Sequence, residues 1–403
     1  MRRFAISGVT FAGNLGGQAM LLSTLQEVRR TERNVQFRVL SVFPAEDAEL
    51  CKDEDVDIVD ASPLRLVCVY LPLSIVMWPI SRFALTRRLL RRITYFRRLS
   101  ESDMLFDMSG IAFADGRGVP LLAYNVACSL PAIALGVPVV KLSQALGPFR
   151  TLLNRSLARF VLGRCRQVYA RGRETLANLQ EIGISRSELQ PDITFALEVP
   201  DARRLAARSR LDGLGLGPRL LGIAPSQVMQ RYCDAAGVNL LSVLVAAATW
   251  AWDRGWDVLI VAHSQGRPGS KNDDLPLCGA LERACLGRAR LIDRFTDAVE
   301  ARAVIGCSRV FVGCRFHAVV GALSMGVPAL ALGWSHKYAE LLREFDLERF
   351  AIDASAISTA SLVESLDAVE REHASIVAHV ATTAGHLAAA VRVSYTQLLR
   401  QHG

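Results

Sequence analysis

Short apolar runs alternate with longer amphipathic segments along most of the 403-residue chain. Apolar runs of about four to eight residues bounded by turns are typical of buried strands, and longer segments with a period of about 3.6 residues are typical of helices. The first half contains five strand-like runs, RRFAISGV, VQFRVLSVFP, DMLFDMSG, PVVKLSQALGPF and QVYARG. The pattern therefore predicts strands and helices in alternation.

A second series of the same kind begins near residue 219. Its strand-like runs are RLLGIAPS, WDVLIVAHS, ARLID, RVFVGCRFH and VPALALGW, and helix-like segments fill residues 356–401. Strands that alternate with helices favour parallel, doubly wound sheets. We therefore expect an α/β protein with two Rossmann-like doubly wound domains, residues 1–200 and 215–403, that face a cleft and are joined by a linker around residues 198–218.

An apolar and basic insertion, residues 64–99, interrupts the first series. Its first part, LRLVCVYLPLSIVMWPI, is shorter than the roughly 20 residues that a membrane-spanning helix needs. Its second part, SRFALTRRLLRRITYFRRL, is rich in arginine and has no acidic residue. The combination predicts a surface element that binds an anionic membrane, the alternative being a buried helix followed by a solvated basic one. No motif that reads nucleic acid accompanies this charge, so we expect no nucleic-acid partner.

Composition restricts the environment and the cofactors. The nine cysteines are scattered and form no pair of CxxC motifs, which argues against a disulfide framework and against structural zinc. In MRRFAISGVTF a glycine turn stands where a secretory signal would continue its apolar core. We expect a cytoplasmic protein, peripheral on the inner face of the membrane if the insertion binds lipid, with no metal and no cofactor.

Polar side chains follow several of the predicted strands at their carboxyl ends, where parallel sheets bind ligands. In the first series they are Asn14, Ser109, Asp115, Gln144 and Arg171, and in the second series they are Ser226, His263, Arg315, His317, His336 and Lys337. A plain connection from strand to helix needs none of these polar groups. We therefore interpret these positions as candidates for the functional site.

Arg315 and His317 are the strongest of these candidates. They lie two residues apart between a predicted strand and a predicted helix, and the N-terminus of a helix favours anions. Arginine holds a carboxylate or a phosphate with two hydrogen bonds, and histidine can act as an acid or a base near neutral pH. The alternative is that each residue has an ordinary structural role. Arg315 would then cap the helix, and His317 would form a hydrogen bond within the protein.

Several segments resemble the polysaccharide pyruvyl transferase family, in the family's order: GNLGGQAML, DMLFDMSGIAFAD, SQALGPF, ARGRETLANLQEIGI, VAHS and CRFHAVVGALSMGVPALALGWSHKY. The resemblance runs from about residue 6 to 350, and the last segment is the most specific. It implies a GT-B-like fold, as in glycosyltransferases with two Rossmann-like domains. It also implies transfer of the enolpyruvyl unit of phosphoenolpyruvate to hydroxyls of a polysaccharide or a lipid-linked glycan, which forms a pyruvate ketal and releases phosphate.

The resemblance also implies roles for single residues. Arg315 matches the arginine of the family's Arg-x-His segment and would hold phosphoenolpyruvate. His317 matches its histidine and would protonate either the new methyl group or the departing phosphate. Arg171 matches the arginine of an Arg-Asp/Glu-x-x-Ser pattern and would be a second cation for the donor, although Gly172 replaces the acid and Thr175 replaces the serine.

Further residues would complete the site. Lys337 and Ser226 are expected to bind the donor, and His263 and Asp115 are the candidates for acid or base. Asp107 lies within an apolar strand and is interpreted as a buried structural carboxylate. Asp274 either caps a helix or belongs to a metal pair, although the expected chemistry requires no metal. Residues expected to line the cleft are Asn14, Gly16, Gly17, Ser109, Gln144 and His336.

The glycine-rich turn GNLGG differs from the known phosphate-binding loops. It matches neither the Gly-x-Gly-x-x-Gly fingerprint nor the P-loop. We expect the Asn14 side chain and the backbone N–H groups of Gly16 and Gly17 to contact donor or acceptor oxygens. For Gly13, a tight turn that lets the helix pack on its strand is an equal alternative. Family members often have aspartate where Gly17 stands, so that carboxylate is missing here.

Two other functions remain open at this stage. One is a sugar-nucleotide-dependent glycosyltransferase with the same architecture, although such an enzyme usually has an acid where this chain has Arg315 and His317. The other is a non-catalytic scaffold for polysaccharide assembly, which the presence of Arg315, His317 and Lys337 disfavours.

Overall fold

Two parallel β-sheets with helices between their strands organise the chain. The computed structural model describes residues 1–80, 88–265 and 272–401. Unit 1 consists of Met1–Ala12, Met20–Ile193 and Ala390–Gly403, and unit 2 consists of Gly13–Ala19 and Thr194–Ala389. Each unit contains one sheet. The predicted α/β class with two Rossmann-like domains is confirmed.

Unit 1 is built on a sheet whose central strands are fully covered. Its strands are β1 (Arg2–Ser7), β2 (Val35–Ser41), β3 (Val56–Asp60), β4 (Met104–Asp107), β5 (Ile111–Ala112), β6 (Val139–Leu146), β7 (Gln167–Ala170) and β8 (Ser187–Leu189). They pair in parallel in the order β3-β2-β1-β4-β6-β7-β8, and β5 pairs with β6. Phe4, Ala5 and Ile6 are fully buried, because helices cover both faces of a parallel sheet.

Helices connect the strands of this sheet in the part of the chain that the structure describes. They are α1 (Leu15–Thr31), α2 (Pro44–Leu50), α3 (Pro63–Met77), α4 (Thr94–Ser100), α5 (Val119–Ala127), α6 (Leu130–Leu135), α7 (Leu152–Leu162) and α8 (Arg173–Glu181). Helix α1 begins within the Gly13–Ala19 segment of unit 2.

Unit 2 repeats the same arrangement. Its strands are β9 (Leu220–Ala224), β10 (Asp257–Val261), β11 (Ala289–Ile292), β12 (Val310–Gly313), β13 (Ala329–Gly333) and β14 (Ala351–Asp353). They are parallel and lie in the order β11-β10-β9-β12-β13-β14. Its helices are α9 (Asp201–Gly213), α10 (Gln227–Ala235), α11 (Leu240–Trp252), α12 (Leu275–Ala284), α13 (Ala298–Ile305), α14 (Phe316–Ser324), α15 (His336–Arg343), α16 (Thr359–Arg371) and α17 (His373–Arg400), of which α17 ends in unit 1.

Each sheet has one point at which the strand order reverses. In unit 1 this point lies between β1 and β4, and in unit 2 it lies between β9 and β12. Connections leave the sheet in opposite directions at such a point and open a crevice at the carboxyl ends of the two strands, where doubly wound folds bind ligands. The crevice beside β9 and β12 is therefore the first place to look for a site in unit 2.

The division of the chain differs from the predicted one. The boundary lies at residues 193 and 194, and the segments 13–19 and 390–403 belong to the unit opposite to the one expected. The predicted linker around 198–218 contains the four-turn helix α9, with Ala207 and Leu211 buried. These two apolar residues lie four positions apart, so they share the face that packs against α13.

The insertion at 64–99 contains two described helices. Helix α3 includes a π-helical stretch at Leu66–Tyr70, and a 3-10 turn at Trp78–Ile80 follows it. Helix α4 carries the last arginines of the basic run. Residues 81–87 of the predicted basic helix lie outside the described residues.

Within the described ranges, one helix is long and apolar enough to cross a membrane by length and composition, namely α17. Its buried residues recur at helical spacing, for example Ile376, Val380 and Ala384. This periodic burial is typical of a helix that packs against protein along one side.

Candidate active site

The carboxyl ends of four neighbouring strands in unit 2 carry most of the strongest candidates. Ser226 follows β9, and His263 follows β10. The pair Arg315 and His317 follows β12, and the pair His336 and Lys337 follows β13. Because these strands are parallel and adjacent, their exits share one edge of the sheet. The structure thus brings these six residues of unit 2 to the same edge.

Arg315 is held by a buried carboxylate. It occupies the N-cap position of α14, and its Nε donates to Asp274 Oδ2 at 2.7 Å. Its Nη2 donates to Asp274 Oδ1 at 2.6 Å and to the backbone oxygen of Asn272 at 2.9 Å. Asp274 is fully buried and also accepts from the backbone N–H of Gln227 at 2.8 Å. Burial raises the pKa of Asp274, and the Arg315 guanidinium opposes that rise.

This ion pair sets the orientation of the guanidinium plane. Two parallel hydrogen bonds to one carboxylate fix an arginine side chain more firmly than one bond does. The Nη1 of Arg315 forms no hydrogen bond to the part of the chain that the structure describes, and the side chain is 17% exposed. Asp274 stands at the N-cap position of α12, but its side chain makes no capping bond. The sequence predicted that Asp274 is either a helix cap or a metal ligand. In the structure its side chain forms an ion pair with Arg315.

His263 is buried and uncharged at neutral pH. Burial, reinforced by the positive charges of His317, Arg315 and Arg302, lowers the pKa of His263 to about 3. An imidazole with so low a pKa is a poor proton acceptor near pH 7. His263 can still donate or accept a hydrogen bond as a neutral ring, so the role of general base that the sequence suggested does not suit it.

The imidazole of His317 packs against the backbone of Gly16. His317 lies in the first turn of α14, and its ring stands perpendicular to that of Phe316 at 5.3 Å between centroids. A Cβ atom added to Gly16 would lie 2.4 Å from His317 Nδ1. Only glycine leaves room for the imidazole at this position, which gives the glycine-rich turn a specific structural purpose.

Backbone bonds fasten the glycine-rich turn to the strand exits of unit 2. Asn14 forms an antiparallel bridge with Ser264, and the N–H of Gln265 donates to the backbone oxygen of Gly13 at 3.0 Å. The Asn14 Oδ1 accepts from the backbone N–H of Gly16 at 2.9 Å. The Gly16 N–H therefore has a partner in the protein, which corrects the prediction that it lies open to a ligand. Asn14 itself is exposed, as a ligand-binding residue requires.

Lys337 lies among aromatic rings. Its Nζ is 4.8 Å from the centroid of the Trp334 ring, 5.3 Å from that of Phe316 and 5.2 Å from that of Tyr338. The Trp334 ring in turn stacks on Tyr232 at 4.9 Å. Cation–π contacts of this kind position an ammonium group without neutralising its charge. Lys337 therefore remains suited to bind an anion.

The other two candidates of unit 2 have local partners. Ser226 is fully buried and caps α10, where its Oγ accepts from the N–H groups of Val228 and Met229 at 3.2 and 3.4 Å. This capping role explains the serine without a ligand. His336 is exposed, and its Nε2 lies 3.9 Å from a carboxylate oxygen of Glu340 one turn along α15.

Two candidates of unit 1, Ser109 and Gln144, belong to a buried network around Asp107. Its Oδ2 pairs with Lys141 Nζ at 2.5 Å and accepts from Ser129 Oγ at 2.7 Å. Its Oδ1 accepts from Ser109 Oγ at 2.8 Å and from Gln144 Nε2 at 3.2 Å. Burial raises the pKa of Asp107, but Lys141 and the hydroxyl groups outweigh burial and hold it below its usual value. The interpretation of Asp107 as structural agrees with this network.

Asp115 has a structural task at the start of α7. Its carboxylate accepts from Thr151 Oγ1 at 2.6 Å, from Asn154 Nδ2 at 3.2 Å and from the backbone N–H of Arg150. Burial raises the pKa of Asp115, but these hydrogen bonds outweigh burial and hold it below its usual value. A carboxylate stabilised in this way is a weak base, so we do not retain Asp115 as a catalytic residue.

Arg171 is also engaged inside unit 1. Its Nη1 pairs with Asp192 at 2.7 Å and its Nη2 donates to the backbone oxygen of Gly110 at 2.9 Å. Arg171 is 7% exposed and Asp192 is 1% exposed. The buried ion pair with Asp192 by itself explains why an arginine stands at position 171. The predicted contact of Arg171 with the donor stays a prediction.

Two ion-pair partners were not predicted from the sequence, namely Lys141 of Asp107 and Asp274 of Arg315. For Lys141 the sequence contains a clue. Lys141 stands within a strand that is otherwise without charge, and a lone lysine in a buried strand needs a carboxylate partner. Asp274 left no comparable signal, because its partner Arg315 is 41 residues away.

Comparison with known proteins assigns the family. The model of the polysaccharide pyruvyl transferase family matches residues 14–336. The chain belongs to this family. Membership makes it a transferase of polysaccharide biosynthesis that acts on a glycan. The match begins at Asn14 and ends at His336, so it spans both the glycine-rich turn and the Arg315–His317 segment.

Similar proteins agree with the family and with the fold. The amylovoran biosynthesis protein AmsJ of Erwinia amylovora is 21% identical over 299 residues, which are 70% of this chain and 69% of AmsJ. A UDP-GlcNAc 2-epimerase from Neisseria meningitidis, solved with UDP-GlcNAc, has a TM-score of 0.57 at 12% identity and covers 99% of this chain and 100% of its own. A glycosyltransferase from Rickettsia africae has a TM-score of 0.59 at 10% identity and covers 100% and 97%. The GT-B-like fold of this pyruvyl transferase family member is thereby confirmed.

Proposed function

We propose that the protein transfers the enolpyruvyl unit of phosphoenolpyruvate to two hydroxyls of one sugar in a polysaccharide or a lipid-linked glycan, forming a cyclic pyruvate ketal. The observation that carries the proposal is the grouping of Arg315, His317 and Lys337 with the N-termini of α14 and α15 at the exits of two adjacent strands. The donor has two anionic groups, a carboxylate and a phosphate. Guanidinium groups, ammonium groups and helix N-termini all bind such groups.

The chemistry needs protons moved but no redox step. One sugar hydroxyl adds to C2 of the donor while C3 takes a proton, which turns the methylene group into a methyl group. The second hydroxyl then attacks C2 as the bond from C2 to the phosphate oxygen breaks and phosphate leaves with the electron pair. The two hydroxyl protons end on C3 and on phosphate, so the reaction is balanced without another reactant.

His317 is the side chain that we assign to proton transfer. Histidine changes its protonation near neutral pH, and His317 is half-buried two residues after Arg315, which would hold the donor. His263, held neutral by its low pKa, would instead contribute a hydrogen bond to the substrate or to His317. Arg315 would contribute its remaining N–H donors, aimed by Asp274.

The reaction is tested by its products. Purified protein is incubated with phosphoenolpyruvate, UDP-sugars and a panel of free and lipid-linked glycans, and phosphate release and product mass are followed. The proposal expects phosphate release that depends on the glycan and a glycan mass raised by one pyruvate less one water. A mass gain of one hexose with UDP-sugar donors would support a glycosyltransferase instead. No product with any acceptor would favour the scaffold.

Arg315 is tested by a double variant. Replacement of Arg315 alone leaves the buried Asp274 without its partner, which costs about 3–5 kcal/mol of stability. Arg315→Gln with Asp274→Asn removes both charges and keeps a neutral hydrogen-bonding pair. We expect calorimetry to show phosphoenolpyruvate binding at least about tenfold weaker in this variant, because a charge-assisted bond contributes about 1.5–3 kcal/mol.

A matched control exists on the same strand. Arg309 precedes β12 at its amino end and pairs with Glu370 at 3.2 Å. Arg309→Gln with Glu370→Gln removes one ion pair of unit 2 away from the strand exits, and donor affinity should not change. Equal affinity in the wild type and in the Arg315 double variant would refute the role of Arg315.

A further inference from the structure

The outward face of α3 is almost entirely apolar. Its exposed residues are Pro63, Leu64, Arg65, Cys68, Val69, Pro72, Ile75 and Val76. Leu64 is 77% exposed, Val76 67% and Ile75 53%. The single charge among them, Arg65, pairs with Asp60. Scattered exposed apolar residues are normal on a protein surface, but a continuous apolar face on a helix indicates an interaction surface.

The opposite face of α3 anchors the helix to unit 1. Leu66, Tyr70, Leu71 and Ser74 are buried. The Tyr70 ring stacks on that of Tyr95 in α4 at 4.1 Å between centroids. This packing fixes which side of α3 points outward. The apolar face is therefore a permanent surface of unit 1.

Exposed arginines lie beside this helix. Arg88, Arg91, Arg92 and Arg97 are exposed in the segment that leads into and through α4. Within the described ranges, none of the four forms an ion pair with a carboxylate. Leu90 and Phe96 of the same segment lie close to Ser74 and Met77 of α3, so the segment packs directly against the helix.

We propose that the outward face of α3 and the arginines at 88, 91, 92 and 97 together dock the protein on an anionic lipid bilayer, with α3 lying in the plane of the interface. Aliphatic side chains would enter the boundary between headgroups and acyl chains, and the arginines would bind lipid phosphates. Monotopic helices combine these two contributions. The charge selects a lipid surface over a second copy of the same basic chain, since two such surfaces repel each other. The proposal is independent of the donor that the active site uses.

Binding is measured by flotation with vesicles of phosphatidylcholine alone and of phosphatidylcholine mixed equally with phosphatidylglycerol. We expect binding to the mixed vesicles to be at least about tenfold stronger at low salt and to weaken as salt screens the arginines. A fluorophore sensitive to polarity, attached to the exposed Cys68 in a Cys51→Ser, Cys307→Ser background, should shift to the blue only with the mixed vesicles. Equal binding to both vesicles, or binding without a shift at Cys68, would overturn the proposal.

Two variants separate the apolar and the basic parts. Val76→Asp should reduce binding about tenfold or more, because a carboxylate resists entry into the interface. Leu205→Asp is its control, since Leu205 is 72% exposed on α9 of unit 2 and should leave binding unchanged. Arg88→Gln with Arg92→Gln should remove most of the preference for anionic vesicles.

A second copy of the chain on the same face of α3 would give a different experimental result. If the face joins two copies of the chain, light scattering will show a dimer that Val76→Asp converts to a monomer, and vesicles will not bind the wild type. That result, or unchanged flotation of Val76→Asp, rejects the membrane surface. Because flotation needs neither donor nor acceptor, failure here leaves the proposed pyruvyl transfer untouched, and the reverse also holds.

Discussion

A buried carboxylate determines how Arg315 meets its ligand. An unrestrained arginine side chain has about 2 kcal/mol of rotamer entropy to lose when it binds a ligand. In Arg315 the two hydrogen bonds to Asp274 have already fixed the plane of the guanidinium. The same pair reduces the net charge of the group. Lys337 follows the next strand of the same sheet, and its ammonium group contacts three aromatic rings.

Gly16 is expected to control the position of His317. Gly16→Ala places a methyl group 2.4 Å from the imidazole Nδ1, so the ring must move. We expect phosphate release in the pyruvyl-transfer assay to fall about tenfold or more, because small misplacements of a reacting group cost up to about a hundredfold. The side-chain NMR signals of His317 should shift as well, which tests the geometry without the reaction.

The control for Gly16 is another glycine in a helix. Gly385 lies in α17, and a Cβ atom there meets nothing within 4 Å. Gly385→Ala should leave activity unchanged and raise stability by about 0.5–1 kcal/mol, since alanine loses less backbone entropy in a helix. If Gly16→Ala retained full activity and an unshifted His317 signal, the close packing would have no functional meaning.

His263 is expected to make unit 2 sensitive to acid. The unfolded histidine takes up a proton below about pH 6.5, whereas the folded one stays neutral down to about pH 3. Above pH 6.5 His263 is neutral in both states and does not lower the free energy of unfolding. As the pH falls below 6.5, protonation of the unfolded state lowers that free energy increasingly. Between pH 6 and 4 the free energy of unfolding should therefore fall by about 1.4 kcal/mol per pH unit more in the wild type than in His263→Gln.

Tryptophan fluorescence in urea provides the measurement, because Trp250, Trp252, Trp256 and Trp334 all lie in unit 2. His386→Gln is the control, since His386 is exposed on α17 and its removal should not change the slope. Parallel pH profiles of the wild type and His263→Gln would contradict the buried neutral state of His263.

At the scale of elements, the sequence was most informative about regular strands and helices. Most strand-like runs form strands, because an apolar run between turns has few other ways to bury itself. The prediction of a linker at 198–218 was wrong because the many arginines and glycines of this segment resemble a linker, whereas only Ala207 and Leu211 of the helix are buried. The polar loop after β10 likewise gave no hint that Asp274 pairs across the sheet edge.

Helix α9 provides a direct test of this correction. Leu211 is fully buried and Leu205 on the same helix is 72% exposed. Leu211→Ala should destabilise unit 2 by about 2–5 kcal/mol, as for other buried leucines, and Leu205→Ala should cost little. Urea unfolding followed by tryptophan fluorescence measures both variants. Equal and small effects would mean that the segment behaves as a linker after all.

At the scale of the whole molecule, the last residues stabilise the first sheet. Tyr395 is buried in unit 1, where its hydroxyl lies 2.7 Å from Thr24 Oγ1 and its ring contacts Phe106 edge-on at 6.5 Å. A chain that ends at residue 389 loses these contacts and the buried Leu399. We expect such a chain to unfold at a clearly lower temperature, with unit 1 affected first.

Hydrogen exchange followed by mass spectrometry locates the effect of this truncation. Protection should fall in β1 and β4, which lie under Tyr395, and should persist in β9 and β12 of unit 2. A chain that ends at residue 401 is the control and should keep full protection. Equal loss of protection in both sheets would argue against the assignment of the last residues to unit 1.

The fold class, the family and the strand exits that carry Arg315, His317 and Lys337 could be predicted from the sequence. These features are local, since they depend on periodicity, turns and motifs a few residues long. The folded structure shows which candidates are available for chemistry. It pairs Arg315 with Asp274, lowers the pKa of His263, engages Asp115 in hydrogen bonds to Arg150, Thr151 and Asn154 and brings Gly16 against His317. Burial and contacts between distant residues exist only in the folded chain.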